Sequence, residues 1–69
     1  MTVEEATFKI LQEDESFGMS IDELYGQVRD KFPNDELGSV YNEVVDALEK
    51  GRKARKIKKT TSGFYCWIR

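Results

Sequence analysis

The sequence predicts a small α+β domain in which three helices are followed by a C-terminal two-stranded β-hairpin. Two capping-box patterns each precede apolar residues at helical spacing. A third helical pattern follows the only proline of the chain. The end of the chain then alternates polar and apolar residues around a short glycine-containing turn. Because 69 residues is the length of one domain, we expect residues 1–69 to form a single folded unit.

The first helix is predicted over about residues 3–14. Thr2 and Glu5 have the spacing of a capping box, in which the hydroxyl caps the helix and the glutamate reaches back. Glu4 and Glu5 also lie at the end where the helix dipole favours negative charge. A run of acids at residues 13–15 is unfavourable at the opposite end, which predicts that the helix stops there.

The second helix is predicted over about residues 21–31. Ser20 and Glu23 form its capping-box pattern. Pro33 ends it, because the residue before a proline is pushed out of the α-helical region. The apolar positions repeat at helical spacing and are Ile21, Leu24, Tyr25, Val28 and Phe32.

The third helix is predicted over about residues 35–50, with Gly51 as the residue that terminates it. The apolar side of this helix contains Leu37, Val40, Tyr41, Val44, Val45 and Leu48. The opposite side contains Ser39, Asn42, Glu43, Asp46, Ala47 and Glu49.

A β-hairpin is predicted over about residues 54–69, with its turn at residues 61–63. In the final strand one side presents Phe64, Cys66 and Ile68, and the other presents Tyr65, Trp67 and Arg69. Both sets contain aromatics, so alternation alone leaves open which set faces the core. Because an isolated hairpin is not stable, we expect it to lie against the first and third helices through Ile57 and one of the two sets. A very short strand around Met19 is compatible with the sequence.

The composition excludes several classes of function. The chain has no histidine and one cysteine, Cys66, which excludes histidine-based catalysis, histidine-ligated metal sites and an internal disulfide. No nucleophile–base pair can be assembled and no calcium-loop spacing is present. We therefore expect no enzyme activity, no metal or other cofactor and no small-molecule substrate. No apolar run approaches the roughly 20 residues that span a membrane, and we expect a cytoplasmic or nuclear protein.

Charge is distributed unevenly along the chain. Residues 1–49 contain all 13 acidic residues and three of the 11 basic ones, for a formal charge of −10. Residues 50–69 contain the other eight basic residues and no acid, for a formal charge of +8. Separation of this size indicates an interaction surface, and a basic end favours an anionic partner.

Three stretches resemble the winged-helix superfamily and, less closely, the HARE-HTH domains and the N-terminal domain of the bacterial RNA polymerase delta subunit. They are residues 6–11 (ATFKIL), residues 19–25 (MSIDELY) and residues 63–69 (GFYCWIR). The resemblance covers the whole chain and implies three core helices with the hairpin as a wing. It also implies that Tyr65 and Trp67 point inward, and that the chain acts in transcription or DNA handling through nucleic acid or another protein.

The first functional hypothesis is a nucleic-acid-binding domain in transcription regulation, with DNA as the expected partner. The unbroken basic stretch would contact phosphates through Arg52, Lys53, Arg55, Lys56, Lys58 and Lys59. Ser39 and Asn42, near the start of the third helix, would touch bases or the backbone.

The alternative is a protein-interaction module that does not read DNA. Glu43, Asp46 and Glu49 would meet phosphates if the third helix entered a major groove, which argues against ordinary groove recognition. Two arrangements remain open: binding through the start of this helix plus the hairpin, or docking of the acidic helix on a basic protein. The sequence does not specify the oligomeric state.

Overall fold

A computed structural model describes residues 2–14, 18–35 and 37–68. In that part of the chain three helices precede a two-stranded antiparallel sheet, which is the predicted α+β layout. The elements are the helices Val3–Glu13 (α1), Ile21–Lys31 (α2) and Leu37–Lys53 (α3) and the strands Ile57–Lys59 (β1) and Tyr65–Trp67 (β2). Glu36 and Arg69, which belong to the predicted third helix and hairpin, lie outside the described residues. No helix in the described ranges has the length and apolarity to cross a membrane.

Both predicted N-caps are confirmed. The Thr2 hydroxyl accepts a hydrogen bond from the Glu5 N–H at 3.1 Å and donates to Glu5 Oε1 at 3.2 Å. The Ser20 hydroxyl accepts from the Glu23 N–H at 3.2 Å. These bonds satisfy backbone donors that a helix leaves unpaired in its first turn, so the starts of α1 and α2 are encoded locally.

The two strands form an antiparallel pair, and Tyr65 of β2 is also bridged to Met19. The register places three pairs of residues opposite each other: Ile57 and Trp67, Lys58 and Cys66, and Lys59 and Tyr65. The Met19 N–H donates to the Tyr65 carbonyl at 2.9 Å, and the Tyr65 N–H donates back to the Met19 carbonyl at 2.7 Å. In place of the short strand around Met19 that the sequence allowed, the structure has a single β-bridge, and this bridge ties the hairpin to the segment before α2.

The hydrophobic core lies where the three helices meet the inner side of the hairpin. Its buried side chains include Leu11, Leu24, Val28, Val40, Val44, Leu48 and Ile57. Tyr65 and Trp67 pack against this core, and the Trp67 ring centroid lies 5.5 Å from that of Phe8 on α1. Tyr65 and Trp67 are thus the inward pair, as the resemblance implied. The hairpin contacts α1 through β2 and α3 through β1, which confirms its expected docking.

Two predictions for α3 are wrong. The helix continues to Lys53, and Gly51 is buried within it instead of terminating it. Packing explains the glycine, because a β-carbon there would lie 2.8 Å from Ile57 Cγ1 and would also overlap Ile57 Cδ1. Ala47, predicted on the polar side, is only 1% exposed. Since Ala47 and Gly51 are about one turn apart, small residues widen the buried side of α3 toward its end.

Arg55, and not Gly51, is the residue that ends α3 in a left-handed backbone conformation, with φ at 61°. The Arg55 N–H donates to the Arg52 carbonyl at 3.1 Å, and the Lys56 N–H donates to the Gly51 carbonyl at 2.8 Å. This pair of bonds is a Schellman motif, whose left-handed position is usually glycine. An arginine there is conformationally strained, and its side chain projects from the turn between α3 and β1.

Replacing Arg55 by glycine is expected to raise the free energy of unfolding by about 0.5–1 kcal/mol. The left-handed conformation costs an L-residue about 1–2 kcal/mol, and the greater freedom of glycine in the unfolded chain offsets part of the gain. Urea denaturation measures the difference. Arg55→Gln removes the same charge but retains the β-carbon, so it should leave the stability unchanged. An equal gain in the free energy of unfolding in both variants would indicate relief of charge repulsion and would contradict backbone strain at Arg55.

Candidate nucleic-acid interface

Six exposed basic side chains gather where the end of α3 meets β1. We call them the basic cluster: Arg52 and Lys53 in the last turn of α3, Arg55 and Lys56 in the connection, and Lys58 and Lys59 on β1. The Schellman bonds and the close approach of Ile57 to Gly51 hold the helix end against the strand. The fold therefore presents the predicted phosphate-contacting residues on neighbouring elements.

The charges of the basic cluster are not neutralised by a carboxylate of the described residues. The ion pair found among the described residues joins Lys50 Nζ to Glu4 Oε1 at 3.6 Å, and neither residue belongs to the basic cluster. Lys59 places its ammonium 5.7 Å from the centroid of the Tyr65 ring, a cation–π distance that leaves the charge intact. The cluster thus combines exposure with uncompensated positive charge, which is the electrostatic requirement for binding an anion.

The register of the hairpin divides the lysines of β1 between its two sides. Lys58 lies opposite Cys66, on the side away from the core, while Lys59 lies opposite Tyr65, on the side that packs inward. Lys56 shares the outward side with Lys58, because residues two apart on a strand point the same way. The sequence pattern indicated this alternation, but only the packing of Tyr65 shows which side is which.

Ser39 and Asn42 are exposed on the first two turns of α3 and lie on one face, three residues apart. Glu43, Asp46 and Glu49 are also exposed and continue along the helix toward its basic end. Asn42 comes just before these acids and Lys53 just after them, and the rise of an α-helix places these two residues about 16 Å apart along the helix axis. The acids therefore separate the two predicted binding regions, and the structure does not bring Ser39 and Asn42 into the basic cluster.

An aromatic pair covers another part of the surface between α2 and α3. Tyr41, predicted on the apolar side of the third helix, is 37% exposed. Its ring centroid lies 5.3 Å from that of Tyr25 in an edge-to-face arrangement, and the Arg29 guanidinium lies 5.8 Å from the Tyr25 ring. Tyr41 thus closes the rim of the α2–α3 contact instead of filling the core.

A metal centre finds no support in the described ranges, where no group of three or more histidine, cysteine, aspartate or glutamate residues is placed to hold an ion. Cys66 is half-buried, and its Sγ lies 3.6 Å from the Trp67 carbonyl oxygen. Glu49, Arg52 and Lys53 line an open depression at the edge of the basic cluster. Its mixed charge and openness favour solvent or a macromolecular surface over an enclosed small molecule.

No protein-family model, curated protein or solved structure matches this chain. The assignment of a function therefore depends on the geometry of the basic cluster and its surroundings.

Proposed function

We propose that this chain is a winged-helix domain that binds DNA inside the cell and takes part in transcription regulation. The observation that carries the proposal is the basic cluster: six exposed cations on neighbouring elements, with no carboxylate partner among the described residues. The order of elements, three helices followed by a hairpin, is that of a winged helix. In this proposal the hairpin is the wing.

The basic cluster contacts phosphates, and this contact supplies most of the affinity. Each lysine or arginine that neutralises a phosphate releases condensed counterions, so binding weakens steeply as salt rises. Contacts of this kind set position and orientation but carry little sequence information. Arg52 and Lys53 act from the end of α3 and Lys58 from β1, so the backbone of the nucleic acid follows the junction of helix and strand.

The acids of α3 decide how the helix meets the DNA. Glu43, Asp46 and Glu49 are exposed between Ser39 and the basic cluster, and full insertion of α3 into the major groove would bring them close to phosphates. The start of α3 therefore approaches the DNA end-on, where Ser39 and Asn42 can donate to a base edge or to the backbone.

Titration of labelled duplex and single-stranded DNA at roughly 50 and 200 mM salt tests the proposal. If all six cations engage phosphates, the affinity for duplex is expected to fall by about 10³-fold between these two salt concentrations. Binding with no dependence on salt would contradict phosphate contact by the basic cluster. Absence of binding at the lower salt concentration would contradict the proposal as a whole.

A second candidate function is protein binding through the acidic face of α3. The observation that favours it is the row of exposed carboxylates at Glu43, Asp46 and Glu49, which form no ion pair within the described residues. A basic protein surface would complement this row. The DNA titration separates the two candidates, because a protein-binding module of this kind needs no salt-sensitive affinity for duplex.

A further inference from the structure

The outer side of the hairpin carries a basic row next to an apolar row. Hydrogen bonds extend the pairing beyond β1 and β2, from the Ile68 N–H to the Lys56 carbonyl and from the Thr60 N–H to the Phe64 carbonyl, both at 2.8 Å. Opposite residues in an antiparallel pair project to the same side. The outer side therefore presents Lys56, Lys58 and Thr60 on one strand and Phe64, Cys66 and Ile68 on the other.

Core packing does not account for the apolar row. Tyr65 and Trp67 pack against the core from the inner side, whereas Phe64 and Ile68 are each 43% exposed. Phe64 is nevertheless held in place. Its N–H donates to Thr60 Oγ1 at 3.1 Å. Its β-carbon also lies close to the Gly18 backbone, since a β-carbon added to Gly18 would be only 3.1 Å from it. An exposed aromatic ring on a fixed backbone is a preorganised contact surface.

We propose that the outer side of the hairpin binds unpaired nucleotides, with one base stacked on Phe64 and the adjoining phosphates held by Lys56 and Lys58. This inference rests on the proposed function and specifies that the hairpin binds unpaired nucleotides. Aromatic side chains beside a positive strand are the combination that single-stranded nucleic acid requires. Bases within a duplex are stacked on one another, so this site acts on single strands and on unpaired ends.

Charge favours a nucleic-acid strand over the other occupants of an apolar row. Two copies docked by this same side would bring Lys56 and Lys58 of each copy into one interface with no acidic residue on either side, and this concentration of like charge opposes association. A purely apolar peptide would cover Phe64 and Ile68 but would leave both ammonium groups without partners. A single strand of nucleic acid can contact both rows at once, because its phosphates pair with the lysines while its exposed bases cover the apolar row.

The test compares Phe64→Ala with wild type in titrations of an oligothymidylate and of a blunt duplex at two salt concentrations. Loss of one stacked base is expected to weaken oligothymidylate binding about 5- to 150-fold. The salt dependence should stay the same, because no charge is removed, and duplex affinity should change less than about twofold. Phe64→Leu, which retains an apolar side chain at the turn, should show a loss in the same direction with the fold intact by circular dichroism. Tyr41→Leu removes an exposed ring elsewhere and is the matched control.

Cys66 provides a second readout, because it is the only thiol of the chain and lies between Phe64 and Ile68 on the outer side. Saturating oligothymidylate is expected to slow alkylation of Cys66 several-fold. The same concentration of blunt duplex should protect it less. A role for Phe64 in folding alone would not produce protection that depends on the type of nucleic acid.

Failure of this inference can be told apart from failure of the proposed function. Salt-sensitive duplex binding with no affinity for oligothymidylate, or with equal losses on both probes in Phe64→Ala, would overturn the inference and leave the proposed function standing. Absence of binding to either probe would overturn both. A dimer that Phe64→Leu dissociates, with oligothymidylate affinity unchanged, would assign this side of the hairpin to a second copy and would also overturn the inference.

Discussion

Neutralising Lys56, Lys58 and Lys59 together, each to glutamine, is expected to weaken duplex binding by about 10³-fold at roughly 50 mM salt. The slope of log affinity against log salt should fall by about 3, since each phosphate contact contributes about 0.9 to that slope. The effect should be similar for unrelated sequences, because these side chains contact the backbone and not the bases. Fluorescence anisotropy over a salt series measures both quantities.

The chain offers a matched control for this triple variant. Lys9, Arg29 and Lys31 are the only basic residues before residue 50, and all three are exposed on α1 and α2. Their replacement by glutamine removes the same total charge away from the basic cluster. Long-range attraction acts through net charge, so this control should lower affinity only modestly. Equal losses in the two triple variants would contradict a local phosphate-binding role for the hairpin.

Replacing Gly51 by alanine is expected to lower the free energy of unfolding by up to about 2 kcal/mol. Alanine favours the helix by about 1 kcal/mol over glycine, but overpacking a well-packed contact costs about 1–3 kcal/mol. The second effect dominates, because the new β-carbon would overlap Ile57, which is only 2% exposed and has little room to move. Thermal or urea denaturation measures the outcome.

Gly26 is the matched control for Gly51. It lies within α2, and a β-carbon there would have no neighbour within 4 Å. Gly26→Ala should therefore raise the free energy of unfolding by about 0.5–1 kcal/mol through helix propensity alone. Ile57→Val, which removes Cδ1, should cost less in the Gly51→Ala background than in wild type. Stabilisation by Gly51→Ala equal to that by Gly26→Ala would contradict the close packing.

The Gly51 contact also matters for the proposed interface. It lets Ile57 approach the axis of α3, which places β1 and its lysines next to Arg52 and Lys53. A side chain at residue 51 would push the strand away from the helix and separate the two halves of the basic cluster. Gly51→Ala is thus expected to weaken duplex binding even under conditions where the variant remains folded.

Much of the candidate site could be predicted from the sequence, because charge is a local property. The basic residues from Arg52 to Lys59 are exposed, as a run of lysines and arginines in a small domain generally is. The division of Lys58 from Lys59 and the exposure of Phe64 could not be predicted from the alternation of residues alone, although the winged-helix resemblance implied that Tyr65 and Trp67 point inward. Both depend on which side of the hairpin packs against the core, and each side contains at least one aromatic residue.

The sequence by itself determined the number and order of the elements, the caps at Thr2 and Ser20 and the separation of charge. These features depend on residues within a few positions of one another, where capping bonds and proline sterics act. Only the tertiary structure decided that Gly51 serves packing and that Arg55 takes the left-handed position at the end of α3. Contact between Ile57 and the helix determines both outcomes: the chain must continue α3 past Gly51 and then reverse within a few residues to lay Ile57 against it.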